Sequence, residues 1–269
     1  MNKMQKTPRP IHEIVAEISK STLKKHTLRY VFVEGVDDVA IYSEIARKKD
    51  LKTKLTFEQQ GGRIQLLKLY ETIKANSAVL SKTLFFADQD SYVFDAIPTE
   101  YVGINFTKGY SIENDLFEDG FEFLMTELSD EEKIRFERLV SHVSEWYAYE
   151  IEKVLSDNST NSKIAINGLD PNILNQGSDT LSPSFLAKRG YQKAEETLCL
   201  QIKDNYKSLL RGKILFELLL RISFDRGGVI HHKNKETFWN NAITVGLQNE
   251  TSHCNRIVNV FQNRVTLAQ

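Results

Sequence analysis

Acidic side chains recur in this chain where apolar runs end. Glu34, Asp37 and Asp38 follow Tyr30-Val31-Phe32-Val33, Asp88 and Asp90 follow Leu84-Phe85-Phe86, and Glu113 with Asn114 closes the polar stretch that begins at Thr107. Ends of neighbouring strands lie roughly 5 Å apart, so carboxylates there repel one another unless a cation joins them or some take protons. Ligands that are all oxygen select a hard ion, and Mg²⁺ or Mn²⁺ is favoured because each keeps open positions for phosphate and water. Asp88 and Asp90 are alternate residues, and on an extended chain both point past the strand end on one side. Taken singly, each cluster has a plainer reading. Glu-Gly after a strand is a turn, and Asp-x-Asp in a loop is a cap.

The elements that must position these acids are legible in the same stretch. Tyr30 to Val33 is a β-branched and aromatic run cut off by Gly35, and the amphipathic VDDVAIYSEIARKK from Val36 to Lys49 follows. A strand, a tight glycine turn and a helix make the first half of a βαβ unit, and in such sheets ligands bind outside the carboxyl ends of the strands. An amphipathic helix over Ile11 to Lys25 precedes it. Leu51 to Gln59 reads as a second strand, broken by Gly61 and Gly62, and Arg63 opens a helix whose Ile64, Leu67, Tyr70 and Ile73 share one face. Lys82 to Phe86 is a third strand and Tyr101 to Phe106 a fourth. Helices between successive strands imply parallel pairing with right-handed crossovers. The fold class is therefore α/β, a mostly parallel four-stranded sheet with flanking helices.

Beyond Asn114 the pattern turns helical. Ser129 and Glu132 have capping-box spacing, and an apolar stripe carries a long helix to about Leu155. The turn-rich segment from Ser156 to Asn172 reads as a mobile loop or insertion. Helices are expected over Ser184 to Tyr206, Gly212 to Phe224, Lys235 to Val245 and Cys254 to Leu267, with ILFELLL at the centre of the helical half. The expected division is an N-terminal helical segment over 1–27, an α/β domain over 28–118 and an all-helical C-terminal domain over 119–269.

Composition excludes several classes. With 269 residues, 41% hydrophobic and 26% charged, the chain has ordinary globular composition. Its formal net charge of −1 gives no global attraction to nucleic acid, yet Lys188 to Gln269 carries 13 Lys or Arg against 7 Asp or Glu. A basic C-terminal face beside acidic strand ends suits a metal-dependent enzyme acting on a polyanion; an unevenly charged solvated surface is the alternative. The two cysteines, Cys199 and Cys254, show no disulfide or zinc spacing, pointing to a reducing, cytoplasmic setting. No signal peptide is read at the N-terminus, and the longest apolar run, Ile214 to Ile222, contains Glu217 and Arg221 and is too short for a bilayer. A dinucleotide-binding sheet is disfavoured because acids follow the first strand where phosphate would sit.

VFVEGVDD followed by FFADQD resembles the Toprim domain of topoisomerases, primases and the OLD (overcoming lysogenization defect) nucleases, over Leu28 to about Phe117. GGR at Gly61 to Arg63 and YSIEN at Tyr110 to Asn114 narrow the resemblance to the OLD-like class, closest to the Toprim effector subunits of PARIS-type anti-phage defence. That resemblance implies a Mg²⁺- or Mn²⁺-dependent nuclease, a toxic effector of abortive infection. It would be released by an ABC/SMC-like ATPase sensor partner and cleave host tRNA, with DNA as the alternative substrate. A primase or topoisomerase lacks support, since neither zinc-ribbon cysteines nor strand-passage machinery is visible. A homodimer is expected, because one small domain covers little of a nucleic acid, and no membrane association.

Carried over by position, Glu34 is a metal ligand or general base, Asp38 a second ligand, and Asp88 and Asp90 complete the site. Asp37 beside Asp38 leaves open which of the two faces the ion. Glu113 is either a ligand to a second ion or an N-terminal helix charge. The lysine that OLD-like nucleases bring from beyond the Toprim core is assigned to Lys213, at a helix N-terminus, where it would stabilise the leaving oxygen. Arg63 and Lys108 compete for that role as substrate-binding cations, with surface solvation as the alternative for all three. Adjacent His231 and His232 point apart on any regular element and do not share an ion; they are read as loop residues near phosphate. Trp146 and Trp239 fall on helical stripes and read as core.

Overall fold

The computed structural model describes residues 9–23, 27–156, 173–175, 178–224 and 234–266. In chain order the elements are α1 (Ile11–Leu23), β1 (Arg29–Val33), α2 (Val36–Lys48), β2 (Leu55–Gln59), α3 (Arg63–Lys74), α4 (Ser77–Leu80), β3 (Thr83–Ala87) and β4 (Asn105–Phe106). They continue with α5 (Ile112–Thr126), α6 (Asp130–Ser156), α7 (Pro183–Lys188), α8 (Glu196–Asp204), α9 (Tyr206–Leu209), α10 (Gly212–Phe224), α11 (Lys235–Gly246) and α12 (His253–Thr266). The fold is α/β with a helical C-terminal region, and the chain divides into two compact units. The first is Met1–Asp88, Ile97–Thr107 and Asn249–Gln269, and the second Gln89–Ala96 and Lys108–Gln248.

The first unit is a four-stranded, all-parallel sheet in the order β2-β1-β3-β4. β1 and β3 are buried throughout, as their continuous apolar composition requires of strands covered on both faces. The pleat sends alternate side chains to opposite sides. Phe85 meets Phe32 and Tyr70 of α3 on one face, while Phe86 meets Tyr42 of α2 and Phe261 of α12 on the other. The C-terminal helix is thus part of the sheet's covering. Arg256 donates to the Phe106 carbonyl at 3.2 Å and Arg264 to that of Leu80 at 3.3 Å, tying α12 to β4 and to the end of α4.

Several expectations are corrected. The second strand starts at Leu55, because Lys52–Lys54 forms a 3₁₀ turn first. The fourth is two residues long: Thr99–Tyr101 is a 3₁₀ turn, and Gly103, packed against Tyr70, donates to its hydroxyl. On α3 the buried residues are Leu66, Leu69, Tyr70 and Ile73, leaving Ile64 exposed, so the apolar face lies a partial turn from the expected one. The turn from β1 to α2 is tight as expected, only Glu34 and Gly35 long, and Gly35 takes it at φ −133°, an extended conformation open to any residue.

In the second unit α10 is buried through Ile214, Leu215, Phe216, Leu218, Leu219 and Ile222, the central place expected of ILFELLL. α5 packs on α11 so closely that Gly120 faces Ala242 with no room for a Cβ. The Ser129–Glu132 capping box is present, with bonds of 2.8 and 3.3 Å. The helix expected from Ser184 to Tyr206 is instead α7, α8 and α9. Ser182 caps α7 with Pro183 at its first turn, and Gly190 at φ 62° ends it. The loop expected from Ser156 to Asn172 begins on the last residue of α6, and the rest of it, with His231 and His232, lies outside the described residues.

Candidate metal centre

The sheet's order reverses at β1 and β3: from β1 the chain steps outward to β2, then returns across to β3. In open parallel sheets this switch point is where ligands bind, beyond the strands' carboxyl ends. Glu34 follows β1 and Asp88 follows β3, and the two meet there, the Asp88 N–H donating to Glu34 Oε1 at 3.2 Å. Arg63 closes a triangle on them. Its guanidinium donates to the Asp88 carbonyl, and its Nε lies 3.5 Å from Glu34 Oε1, with both side chains more than four-fifths buried.

Local sequence explains how Arg63 arrives there. Gly61 and Gly62 have φ of 76° and 118°, which side-chain-bearing residues seldom adopt. The turn they make keeps the strand pairing, Gln60 N–H to the Val33 carbonyl at 2.9 Å and Gly62 N–H to the Glu34 carbonyl at 2.8 Å, and then starts α3 at Arg63. The arginine expected to bind substrate is therefore turned inward onto the strand ends. Of the two acids left open, Asp38 has its carboxylate drawn back to the strand end, Oδ2 accepting the Gly35 N–H at 2.7 Å as the cap of α2. Asp37 is half-buried in the same first turn.

The remaining site residues lie in the second unit. Contrary to the expectation from its alternate spacing with Asp88, Asp90 does not continue the extended chain beyond β3. It opens a 3₁₀ turn at φ 48°, a left-handed conformation rare for a residue with a Cβ, and its N–H donates to the Tyr110 carbonyl at 2.8 Å. Tyr147 of α6 packs edge-on to Tyr110, and burial pushes its phenol well above the ordinary range, keeping it neutral. Lys108 is exposed at the side chain. Its backbone is held on both sides, the N–H donating to Asp115 at 3.0 Å and the carbonyl accepting from Gln89 at 3.0 Å.

Glu113 is only 1% exposed on the first turn of α5, and its Oε1 accepts no hydrogen bond from the described residues. The Lys213 ammonium stands 3.6 Å from that oxygen. Two residues expected at separate tasks, an acid for a second ion and a lysine for the leaving group, are thus brought together. Asn114, next to Glu113, is bonded to the segment that leads into Lys213. Its Oδ1 accepts from Ser111 N–H at 3.0 Å and Gly212 N–H at 2.9 Å, and its Nδ2 donates to the carbonyls of Lys207 at 2.7 Å and Leu210 at 2.8 Å. The N-terminal amide of α10 is thereby already occupied. Asp115 completes the motif by accepting the amides of Lys108 and Gly109.

Sequence reasoning missed Asn114 and Asp115 as organisers, although Ser111-x-x-Asn114 has capping spacing and IEND is an unusually polar stretch to lie entirely buried. Among the described residues no group of three or more His, Cys, Asp or Glu is gathered as a metal cage. The donors nonetheless suit a hard divalent ion. Glu34, Asp38 and Asp88 offer oxygen alone, and the buried Glu113 oxygen without a hydrogen bond is of the kind a cation satisfies. Comparison with known proteins adds no name to this geometry: no protein-family model matches the chain, and no curated protein matches it.

Proposed function

We propose that the chain is a Toprim-type, Mg²⁺- or Mn²⁺-dependent nuclease that hydrolyses phosphodiesters. The observation that carries this is the meeting of Glu34 and Asp88 at the switch point of an all-parallel sheet, in sequence contexts that resemble the Toprim signature. When bound, the ion would activate water and neutralise charge on the scissile phosphate. Glu34 and Asp88 would hold it, with Asp38 alongside, while Arg63 fixes the Glu34 carboxylate against the end of β3. Asp90 keeps its proposed part as a ligand by its place in Asp88-x-Asp90. In the second unit the buried Glu113 and the partly exposed Lys213 form an acid and ammonium pair suited to a cation or to a leaving oxygen.

As to substrate and setting, the same resemblance supports host tRNA as target, DNA as alternative, and a toxic effector of anti-phage defence kept in check by an ABC/SMC-like ATPase sensor. The active form proposed is a cytoplasmic homodimer. Purified protein should cleave RNA or DNA only with Mg²⁺ or Mn²⁺, and Glu34→Ala should abolish cleavage. Cleavage retained in that variant sinks the proposal. A second reading, a docking subunit whose acids hold a structural ion without turnover, is favoured by the use of Asp38 as a helix cap and of Arg63 as counter-charge to Glu34. Mg²⁺ binding by calorimetry with no cleavage of tRNA, plasmid or single strands would select it.

A further inference from the structure

We infer that Asn114 is the positioning residue of the second unit's acid and lysine pair, a clamp whose five bonds set where Lys213 stands against Glu113. The inference deepens the proposed use of Lys213 but stands on separate geometry. An asparagine side chain has one acceptor oxygen and two donor hydrogens, and here all are engaged. The oxygen takes the amides of Ser111 and Gly212 and the Ser111 hydroxyl, and the nitrogen reaches two carbonyls, Lys207 and Leu210, in the segment just before α10. One side chain therefore caps the start of its own helix and the start of α10 at once. Tyr110 adds a backbone bond from the same region, its N–H donating to the Ser208 carbonyl at 2.8 Å.

Gly212 shows how close this junction is. A Cβ there would stand 2.6 Å from the Asn114 amide nitrogen and 2.7 Å from Glu113 Cβ, inside any real contact, so only glycine lets the start of α10 rest on the first turn of α5. The residue after it is Lys213. Its ammonium reaches Glu113 Oε1 because the backbone from 207 to 212 is pinned to Asn114, and Glu113 directly precedes that residue in the chain. Asn and not Asp is required at this place, since a carboxylate would face the Lys207 and Leu210 carbonyls with no hydrogen to give them.

The test is lysine acylation of the whole chain at limiting reagent, read peptide by peptide in Asn114→Asp and Asn114→Ala. Lys74, paired with Glu71 at 2.6 Å on α3, serves as internal reference. The Lys213 rate relative to Lys74 should rise about fivefold in both, the factor that one lost net hydrogen bond implies. Gly212→Ala, which parts the same junction with Asn114 intact, should raise it similarly and decides the matter if the Asn114 variants do not fold. An unchanged Lys213 rate in folded variants overturns the inference. If wild-type protein cleaves nucleic acid, Asn114→Asp should lower kcat with KM held; loss of KM alone counts against a positioning role. If wild-type protein does not cleave, the nuclease proposal fails while the acylation result still judges the clamp.

Discussion

Arg63 offers the most direct measurement of the strand-end site. Its Nε is 3.5 Å from Glu34 Oε1, a separation at which opposite unit charges attract by about 5 kcal/mol at an effective dielectric of 20. Desolvation offsets much of that, and the side chains are 17% and 15% exposed, so a net contribution of about 1–2 kcal/mol is expected. The guanidinium bond to the Asp88 carbonyl adds about 1 kcal/mol. Arg63→Ala should therefore destabilise the metal-free protein by about 2–3 kcal/mol, lowering Tm by about 2–4 °C for each kcal/mol in a chain of this size. Scanning calorimetry of Arg63→Ala, Glu34→Gln and the double variant closes a cycle whose coupling should be about 1–2 kcal/mol. Mg²⁺ enters the same balance. An ion at Glu34 supplies the charge that Arg63 gave, so saturating Mg²⁺ should raise Tm more in Arg63→Ala than in wild type, with about 2.7 kcal/mol available at a hundredfold excess over Kd. Additive single effects, together with equal Mg²⁺ shifts in wild type and Arg63→Ala, refute the assignment of Arg63 as counter-charge at the proposed metal position.

Three further outcomes follow from packing and charge. Gly120→Ala places a Cβ 2.7 Å from that of Ala242 and should cost about 1–3 kcal/mol by overpacking; adding Ala242→Gly should recover part of it in chemical denaturation. Phe261→Ala removes the ring of α12 that fits between Phe57 and Phe86 and should cost about 3–5 kcal/mol, visible as loss of the sheet unit's cooperative transition. Asp179 is held below the usual carboxylate range chiefly by its hydrogen bond from Arg135, with Arg138 assisting. Because its folded pKa is depressed, its contribution is complete above the unfolded value of about 3.9 and is lost as pH falls through the lower folded value. Asp179→Asn should therefore be less stable than wild type at neutral pH, with the gap closing in acid-unfolding curves.

How far the chain could be read before its fold was known depends on where each signal is written. β1 and β3 were legible because strands buried on both faces need unbroken apolar runs, and such runs are local in sequence. β4 was not, since Tyr101 to Phe106 has strand-like composition while Gly103 is claimed by packing against Tyr70. The early end of α7 within the expected 184–206 helix turns on a left-handed Gly190 inside an otherwise helical pattern, and α8 and α9 part at Asn205. Membership of α12 in the sheet unit rests on Phe261, whose partners Phe57 and Phe86 lie far away in the chain.

The same distinction separates the site's acids from what supports them. Glu34 and Asp88 announce themselves by ending strands, and their meeting at the switch point follows from strand order alone. Arg63 and Asn114 carry no such mark. Each acts through backbone groups at long range: Arg63 on the carbonyl of Asp88, Asn114 on three groups between Lys207 and Gly212. Backbone carbonyls and amides are present at every residue, so nothing in composition says which will be used. What sequence does preserve is the glycine that makes each approach possible. Gly61 and Gly62 turn the chain so that Arg63 reaches β1 and β3, and Gly212 lets α10 rest on the first turn of α5. In this chain a glycine immediately before a cation, Gly62-Arg63 and Gly212-Lys213, is where a carboxylate of the candidate site acquires its counter-charge.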